Sequence, residues 1–421
     1  MRFLCCSLSS PGFLFPMLGL AESLRSRGHD PAFVASGATK EAVERRGFAC
    51  MTGRPRIDPF ETRQWFSPLS VALQYKYADR AIAEFKPAVV VAQPLTLGPT
   101  MAAERRGVPV AMMGFATYLW PSARDDADGA TSSAAAARRT WRARDMHRCF
   151  NEIRSALGFR ELPADFERSA LLGDLFLLRT VPELEPCVHL LPPQVHPAGP
   201  CLWEPDDPED VSLQEWMGDQ EANVYYVHLG RVFDRPSFWP DLVRAFGGSA
   251  DVRVVASVGR MDGRAGAVPP NFLIRSYVAQ GPVLRRAAAS ISSAHTTVTL
   301  GALRHAVPNV LIPTGGEEPD LAECCQAAGV STVVQPEHVT VESLRAAVDD
   351  AISRPVGALC RVRAALTRDG GFDKAASLVE TLARTQAPVR RGERLVQSEP
   401  VRITYGAESV RNRGGDGLRC A

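Results

Sequence analysis

Short apolar runs alternate with stretches of helical periodicity along most of the chain. The first run, "RFLCC", leads through the loop "SSPGFLFP" into apolar positions at helical spacing from Met17 to Leu24, and Gly28 ends that helix. The same order repeats through "PAFVAS", "PAVVVAQP" and "VPVAMMGF", each separated from the next by a helical stretch. Strands that alternate with helices predict a parallel sheet covered by helices on both faces.

A second series of the same kind follows a proline-rich break. The segment "LLPPQVHPAGPCLWEPDDPED" has the composition of an interdomain linker, and strand-like runs resume at "ANVYYVHLG" and continue to "VSTVVQ". The predicted fold class is therefore α/β, with two doubly wound, Rossmann-like domains that face each other across a cleft. We place the first domain at residues 1–205 and the second at residues 206–385. Because such sheets bind ligands at the carboxyl ends of their strands, the cleft is the expected site.

Two polar stretches interrupt this pattern. Residues 123–140, "ARDDADGATSSAAAARRT", have no apolar period and are predicted to form a loop, followed by a helix over "MHRCFNEIRSALG". Residues 386–421 are polar, rich in glycine and arginine and without periodicity, so we predict a largely disordered tail there.

Composition removes several classes of function. The chain has 421 residues, more than a single domain with one hydrophobic core usually contains. Its formal charge of +1 does not indicate binding to nucleic acid. The ten cysteines include no CxxC pair, which favours reduced, buried thiols over a disulfide framework or a metal site. No apolar run reaches about 18 residues and no signal sequence precedes the first strand, so we expect a cytoplasmic protein without a membrane span.

Several segments of the second series stand in a specific order. They are "PAGPCLWEP", "VYYVHLG", "SYVAQGPVLRRAAASIS" and "GALRHAVPNVLIP", followed by an acidic pair. This order resembles the second domain of family 1 glycosyltransferases, the GT-B enzymes that modify natural products and xenobiotics, and the opening strand, loop and helix are similar to the start of that family. The resemblance implies an inverting transferase that moves a sugar from a nucleoside diphosphate donor, with UDP or dTDP, to a small-molecule acceptor. It implies that the second domain holds the donor and that the first holds the acceptor. The sequence itself includes no metal-ligand cluster, so we expect no metal and no further cofactor.

Candidate donor residues come from the resemblance and from the residue types themselves. They are Gly230, Arg231, Val278, Gln280, His295, Thr296, Thr297, Glu317 and Glu318. His295, Thr296 and Thr297 lie where a helix begins, so their hydroxyls and backbone N–H groups are placed to bind a diphosphate. Arg231 would add a charge-assisted contact, with a surface pair to Asp234 as the alternative. Instead of contacting the ligand, His295 could cap the helix. Instead of binding the sugar, Glu317 could be a solvated residue at the start of a helix.

The second domain departs from the family pattern in two segments. The glycine-rich run of the family is replaced by "SSAHTTVTLGAL", so that the acid of the family motif falls on Gly301. The family's Asp-Gln pair, which often holds sugar hydroxyls, falls on Glu317 and Glu318.

The first domain departs from the family pattern at the expected catalytic base. Family members usually carry a histidine after the glycine of the first loop, whereas this chain has Phe13 after Gly12. Gln93 stands near the position where many members carry an aspartate. We expect Phe13 and Gln93 at the acceptor side, together with Tyr118 and Trp120 as an aromatic wall, for which core packing is the alternative.

Three explanations for the missing histidine are open at this point. In the first, the acceptor is acidic enough that polarisation of the donor does most of the catalysis. A general base contributes about 100- to 10,000-fold, and a low pKa of the acceptor partly replaces this contribution. In the second, another group supplies the base: Ser10 relays a proton, or Asp125 or Asp126 accepts it. In the third, the chain is a non-catalytic homologue that binds a partner enzyme or a small molecule. The sequence leaves the choice between a monomer and a homodimer undecided.

Overall fold

The computed structural model describes most of the chain. The described residues are 1–52, 57–64, 66–117, 133–163, 170–185, 188–205, 211–218, 222–228, 238–258, 268–368 and 370–392.

Seven parallel strands form the first sheet within the described residues. They are β1 (Arg2–Cys6), β2 (Asp30–Val34), β3 (Ala49–Cys50), β4 (Val89–Ala92), β5 (Val110–Met113), β6 (Leu175–Leu178) and β7 (Val195–Pro197), in the spatial order β3-β2-β1-β4-β5-β6-β7. The helices of this part are α1 (Pro11–Ser26), α2 (Gly37–Arg45), α3 (Pro68–Phe85), α4 (Leu97–Arg106) and α5 (Ser133–Ala156). Alternate residues of β1 enter opposite core clusters, Leu4 on one face and Phe3 on the other, so the sheet is buried on both sides.

Six parallel strands form the second sheet in the part of the chain that the structure describes. They are β8 (Asn223–His228), β9 (Val252–Ser257), β10 (Phe272–Arg275), β11 (Ala287–Ser292), β12 (Asn309–Leu311) and β13 (Ser331–Val333), in the order β10-β9-β8-β11-β12-β13. The remaining helices are α6 (Val211–Met217), α7 (Phe238–Phe246), α8 (Gln280–Leu284), α9 (Thr296–Arg304), α10 (Glu318–Ala327), α11 (Val341–Ser353), α12 (Val356–Arg368) and α13 (Phe372–Thr385). The prediction of two doubly wound α/β domains is confirmed.

The predicted loop over residues 123–140 is wrong in its second part, because α5 already begins at Ser133. Residues 123–132 lie outside the described residues. Alanine has the highest helix propensity, which outweighs the missing apolar period in "SAAAARRT". The helix is also fixed by a long-range contact, since Arg139 is buried and donates to Asp320 of α10 at 2.7 Å.

The last helix returns to the first sheet. Buried residues of α13, among them Val379 and Leu382, belong to the same core cluster as β1 and α1. Beyond α13 the backbone continues in contact with this domain, because Val389 N–H donates to the Asp174 carbonyl and Arg391 N–H to that of Pro193. The start of the expected tail is therefore ordered, and residues 393–421 lie outside the described residues. The domain limits stay a prediction, and we propose that α13 counts with the first domain.

No helix in the described part of the chain is both long and apolar enough to cross a membrane. The cytoplasmic location stays a prediction. The described cysteines are free thiols, and burial raises the pKa of the Cys5 and Cys201 thiols to about 12.

Candidate active site

The first turns of α1 and α9 meet at the carboxyl ends of the two sheets. Gly12 of α1 lies against His295, the residue that precedes α9. A Cβ atom placed on Gly12 would lie 2.8 Å from His295 Cε1 and 3.4 Å from Nε2. An alanine here would require the imidazole to shift, so the predicted donor residue His295 and the predicted catalytic loop are close neighbours across the domain junction.

Gln93 holds the loop between β1 and α1. Its side chain is buried, its Oε1 accepts from Leu8 N–H at 2.9 Å, and its Nε2 donates to the Phe13 carbonyl at 2.7 Å. One amide group thus ties both ends of the loop to the strand that carries it. Gln93 acts here on the backbone, and its contact with an acceptor stays a prediction.

Phe13 forms part of an apolar surface at the start of α1. Its ring packs edge-on against Phe115, which follows β5, with ring centroids 5.6 Å apart and an interplanar angle of 73°. Both rings are partly exposed. Ser10 precedes α1, and its carbonyl accepts from the N–H groups of Phe13 and Leu14. The sequence analysis missed Phe115, for which an aromatic residue just after an apolar run was the available signal.

Thr296 and Thr297 occupy the first turn of α9 in different environments. Thr296 is buried, and its hydroxyl accepts from Ala116 N–H of the first domain at 3.2 Å and donates to Glu317 Oε1 at 3.4 Å. Thr297 is partly exposed, and its hydroxyl accepts from Arg179 Nη2 at 3.3 Å. The helix start is therefore linked to the first domain through both hydroxyls, and Thr297 offers the more open one.

Arg179 is a buried cation at this junction that the sequence analysis missed. It follows β6, its side chain is 3% exposed, and burial lowers its pKa to about 10, against the opposing effect of Cys201 and Glu317. Nε donates to the Pro200 carbonyl at 3.3 Å. In the sequence this residue merely ends the apolar run "LFLL", which gave no sign of a contact with α9.

The two adjacent glutamates have separate roles. Glu318 Oε2 accepts from the N–H and hydroxyl of Thr314 and from Gly315 N–H, and Oε1 accepts from the Ser293 hydroxyl at 2.9 Å. Burial raises the pKa of the Glu318 carboxyl, and the nearby charge of Glu317 adds to the shift. Glu318 therefore organises the loop before α10, while Glu317, bonded to Thr296, faces the helix start.

Gln280 fills the space left by the small residue Gly301. A Cβ on Gly301 would lie 2.8 Å from Gln280 Nε2, and this amide donates to the Thr297 carbonyl at 3.4 Å. The first N–H groups of α8 are occupied, because the Glu204 carboxylate accepts from Gln280 and Gly281 at 2.7 and 3.0 Å. A cavity of about 290 Å³ adjoins these residues.

Tyr277 and Val278 directly precede α8 in the chain. Val278 is buried, whereas the Tyr277 side chain is 42% exposed, and the sequence analysis did not select Tyr277.

His228, at the end of β8, adds a second imidazole to the site. Burial lowers its pKa to about 4, and the charge of His295 lowers it further in the same direction. Its Nδ1 is buried and has no hydrogen-bond partner among the described residues. With this pKa, His228 is neutral at pH 7.

Six sequence-predicted residues cannot be located, because Tyr118, Trp120, Asp125, Asp126, Gly230 and Arg231 lie outside the described residues. Their roles stay predictions. Within the described ranges no group of three or more His, Cys, Asp or Glu side chains is arranged to hold a metal ion.

Known proteins of similar sequence span nearly the whole chain. 4'-Demethylrebeccamycin synthase of Lentzea aerocolonigenes is 24% identical over 407 residues, covering 87% of this chain and 95% of that protein. NDP-glycosyltransferase YjiC of Bacillus subtilis is 24% identical over 394 residues, covering 89% and 96%. No protein-family model matches the chain.

Solved structures share the arrangement of both domains. The glycotransferase of kitacinnamycin superposes with a TM-score of 0.73 at 23% identity, covering 90% of this chain and 98% of that one. Glycosyltransferase VinC, solved in complex with dTDP, superposes with a TM-score of 0.66 at 19% identity, covering 91% and 100%. The fold is therefore GT-B, and the sequence comparisons show that the chain is similar to glycosyltransferases of natural-product type. The resemblance noted in the sequence is confirmed.

Proposed function

We propose that the protein transfers a sugar from a nucleoside diphosphate, UDP or dTDP, to a small-molecule natural-product acceptor with inversion at the anomeric carbon. The observation that carries this proposal is the meeting of the α1 and α9 starts at the domain junction. There the His295 ring lies against Gly12, and the partly exposed Thr297 follows in the first turn of α9. VinC, which shares the fold, was solved with dTDP, which supports a donor of this class.

The second domain supplies the donor contacts in this proposal. The positive end of α9 and the Thr297 hydroxyl favour a diphosphate, and Glu317 is near enough to the helix start to accept from a sugar hydroxyl. Val278 and Gln280 lie on the nucleoside side, beside the exposed Tyr277 ring. Gly230 and Arg231 complete the proposed set.

The first domain supplies an apolar acceptor surface without a histidine. Phe13 and Phe115 cannot accept a proton, so catalysis here relies on an acceptor that is already acidic, such as a phenol, an enol or an amide-like nitrogen. A direct displacement places this nucleophile opposite the departing diphosphate, which fits an acceptor on the α1 side and a donor on the α9 side. The leaving diphosphate is stabilised by the helix end and its hydroxyls.

A non-catalytic homologue, acting as an auxiliary or small-molecule-binding protein, is the second candidate. The observation that favours it is the Phe13 and Gln93 pair, since neither side chain at these positions can remove a proton. In both cases the oligomeric state, monomer or homodimer, is a separate question.

A transfer assay distinguishes the two candidates. The full chain is incubated with UDP-glucose or dTDP-glucose and a series of phenols of decreasing acidity, and glycosylated products are detected by mass. We expect transfer to the acidic phenols, falling steeply as the phenol becomes less acidic, and a β-linked product from the α-linked donor by NMR. Binding of nucleoside diphosphate without transfer to any phenol favours the non-catalytic homologue.

A further inference from the structure

Arg179 differs from the other deeply buried arginines in its partners. Arg139, Arg154 and Arg179 are each at most 3% exposed. Arg139 pairs with Asp320 and Arg154 with Glu104, both through direct salt bridges. Arg179 contacts the carbonyls of Pro200 and Cys201 and the hydroxyl of Thr297, and in the described part of the chain it has no carboxylate partner.

The surroundings of Arg179 make an unpaired cation unfavourable. Its Nη2 lies 3.3 Å from the hydroxyl of Thr297 in the first turn of α9, where the helix itself carries partial positive charge. The nearby charge of Glu317 raises the pKa of Arg179, but burial lowers that pKa by more. A buried cation at a positive helix end is the arrangement that an additional anion would stabilise.

The hydrogen bonds of the guanidinium in the described part of the chain go to uncharged acceptors. Nε and Nη2 donate to two carbonyl oxygens and one hydroxyl. Thr297 is partly exposed, so an anion that reaches its hydroxyl comes within reach of the guanidinium. Arginine offers paired donors that match two phosphate oxygens.

We propose that Arg179 binds the diphosphate of the sugar donor, as a donor-binding residue contributed by the first domain. The inference rests on the proposed function. It adds that both domains contact the same diphosphate, the second through the start of α9 and the first through Arg179 after β6. Arg179 then sets the preference for a diphosphate over a nucleoside or a monophosphate, because the second phosphate is the group that reaches across the junction.

The test compares binding of dTDP, dTMP and thymidine, and the UDP series, to the wild type and to Arg179→Met by calorimetry. Methionine keeps much of the side-chain volume and removes the charge. We expect the dTDP or UDP affinity to fall about 10- to 100-fold while nucleoside affinity stays unchanged, because one charge-assisted contact is lost. Arg179→Lys keeps the charge without the paired donors. Its dTDP or UDP affinity is expected to lie between that of the wild type and that of Arg179→Met.

Arg154→Met is the matched control, since Arg154 is as deeply buried in the same domain but pairs with Glu104. It is expected to lower the melting temperature without changing the ratio of diphosphate to nucleoside affinity. A fall of equal size for diphosphate and nucleoside in Arg179→Met, or no fall in either, overturns the role of Arg179.

Inorganic pyrophosphate separates failure of this inference from failure of the proposed function. If the wild type binds no nucleoside diphosphate but is stabilised by pyrophosphate, and Arg179→Met loses that stabilisation, the anion site stands and the transferase proposal falls. If the wild type binds neither, both are overturned.

Discussion

Phe13 stands where the sequence resemblance places a catalytic histidine, and its neighbours show what this residue does instead. The ring packs on Phe115, and the carbonyl accepts from Gln93 at 2.7 Å. The two positions of the expected dyad therefore shape an apolar surface and hold a loop in place. In the proposed function, proton removal from the acceptor therefore relies on the acidity of the acceptor itself.

Phe13→Ala tests this role on the phenol that reacts best in the transfer assay. We expect the KM for the acceptor to rise more than kcat falls, because packing against the acceptor is lost equally in the ground state and the transition state. In Phe13→His, turnover on alcohol acceptors is expected to rise toward the general-base range of about 100-fold. A large loss of kcat in Phe13→Ala with unchanged KM contradicts the packing role.

His228 predicts a pH dependence of stability. Its pKa in the folded protein is about 4, below the ordinary value of 6.5, so the unfolded chain binds the proton more readily. Stability is therefore full above about pH 6.5 and is lost as the pH falls toward 4, by about 1 to 3 kcal/mol. Urea unfolding at pH 7.5 and pH 5 measures it, and His228→Gln should have a smaller difference between the two pH values. An equal difference in the variant would assign the effect to other groups.

Residue-scale chemistry was only partly predictable from the sequence. The position of His295 and Thr297 at a helix start was predicted correctly because helix starts follow from the local pattern, whereas their contact with a donor stays a prediction. Arg179 was missed because its partner Thr297 is 118 residues away, and nothing in "LFLLR" indicates which side chain meets it. Long-range contacts of single side chains are set by the packing of whole domains.

At the scale of elements, α3 and α4 pack so closely that one glycine decides the contact. A Cβ on Gly98 would overlap the backbone of Tyr75 and Val71 in α3. Such a contact involves main-chain atoms, which cannot move aside as a flexible side chain does. The close approach of the two helices therefore depends on the missing side chain.

Gly98→Ala should lower the free energy of unfolding by about 1 to 3 kcal/mol, because backbone overlap forces the helices apart. The control is Gly357→Ala in α12, an exposed helical position with open space, where alanine should raise stability by up to about 1 kcal/mol. Urea unfolding of both variants measures the difference. Equal values for the two variants would mean that α3 and α4 adjust freely.

Most elements could be predicted because alternating periods of strand and helix are local signals. The start of α5 could not, since "SAAAARRT" has no apolar face and its Arg139 is buried in a pair with Asp320 of the other domain. Likewise, α13 follows the second sheet in sequence and packs on the first, which amphipathic spacing alone does not reveal. The partner of an amphipathic face is a property of the whole fold.

At the scale of the whole molecule, the candidate site lies where both domains meet. Ala116 N–H bonds to Thr296, Arg139 pairs with Asp320, and Gly12 lies against His295. Each contact joins the first domain to α9 or α10. Changes at the junction should therefore affect the chemistry more than the stability of either domain.

Gly12→Ala tests this coupling. The new Cβ would lie 2.8 Å from His295 Cε1, so the ring must rotate or the helix starts must separate. Because alanine is well tolerated within a helix, we expect a nearly unchanged melting temperature and a fall in kcat/KM for transfer of about tenfold or more. The same Gly357→Ala control should leave transfer unaffected. Unchanged transfer in Gly12→Ala would show that the junction does not need this close contact.

Calorimetric titration of the full chain with dTDP and with UDP tests the central claim most directly. The proposed function predicts saturable binding with a dissociation constant below the millimolar range for at least one of the two. It also predicts weaker binding of the matching nucleoside, because the phosphates contact the start of α9. The absence of binding by both nucleoside diphosphates at millimolar concentration, in a chain that remains folded by its melting curve, would contradict the account.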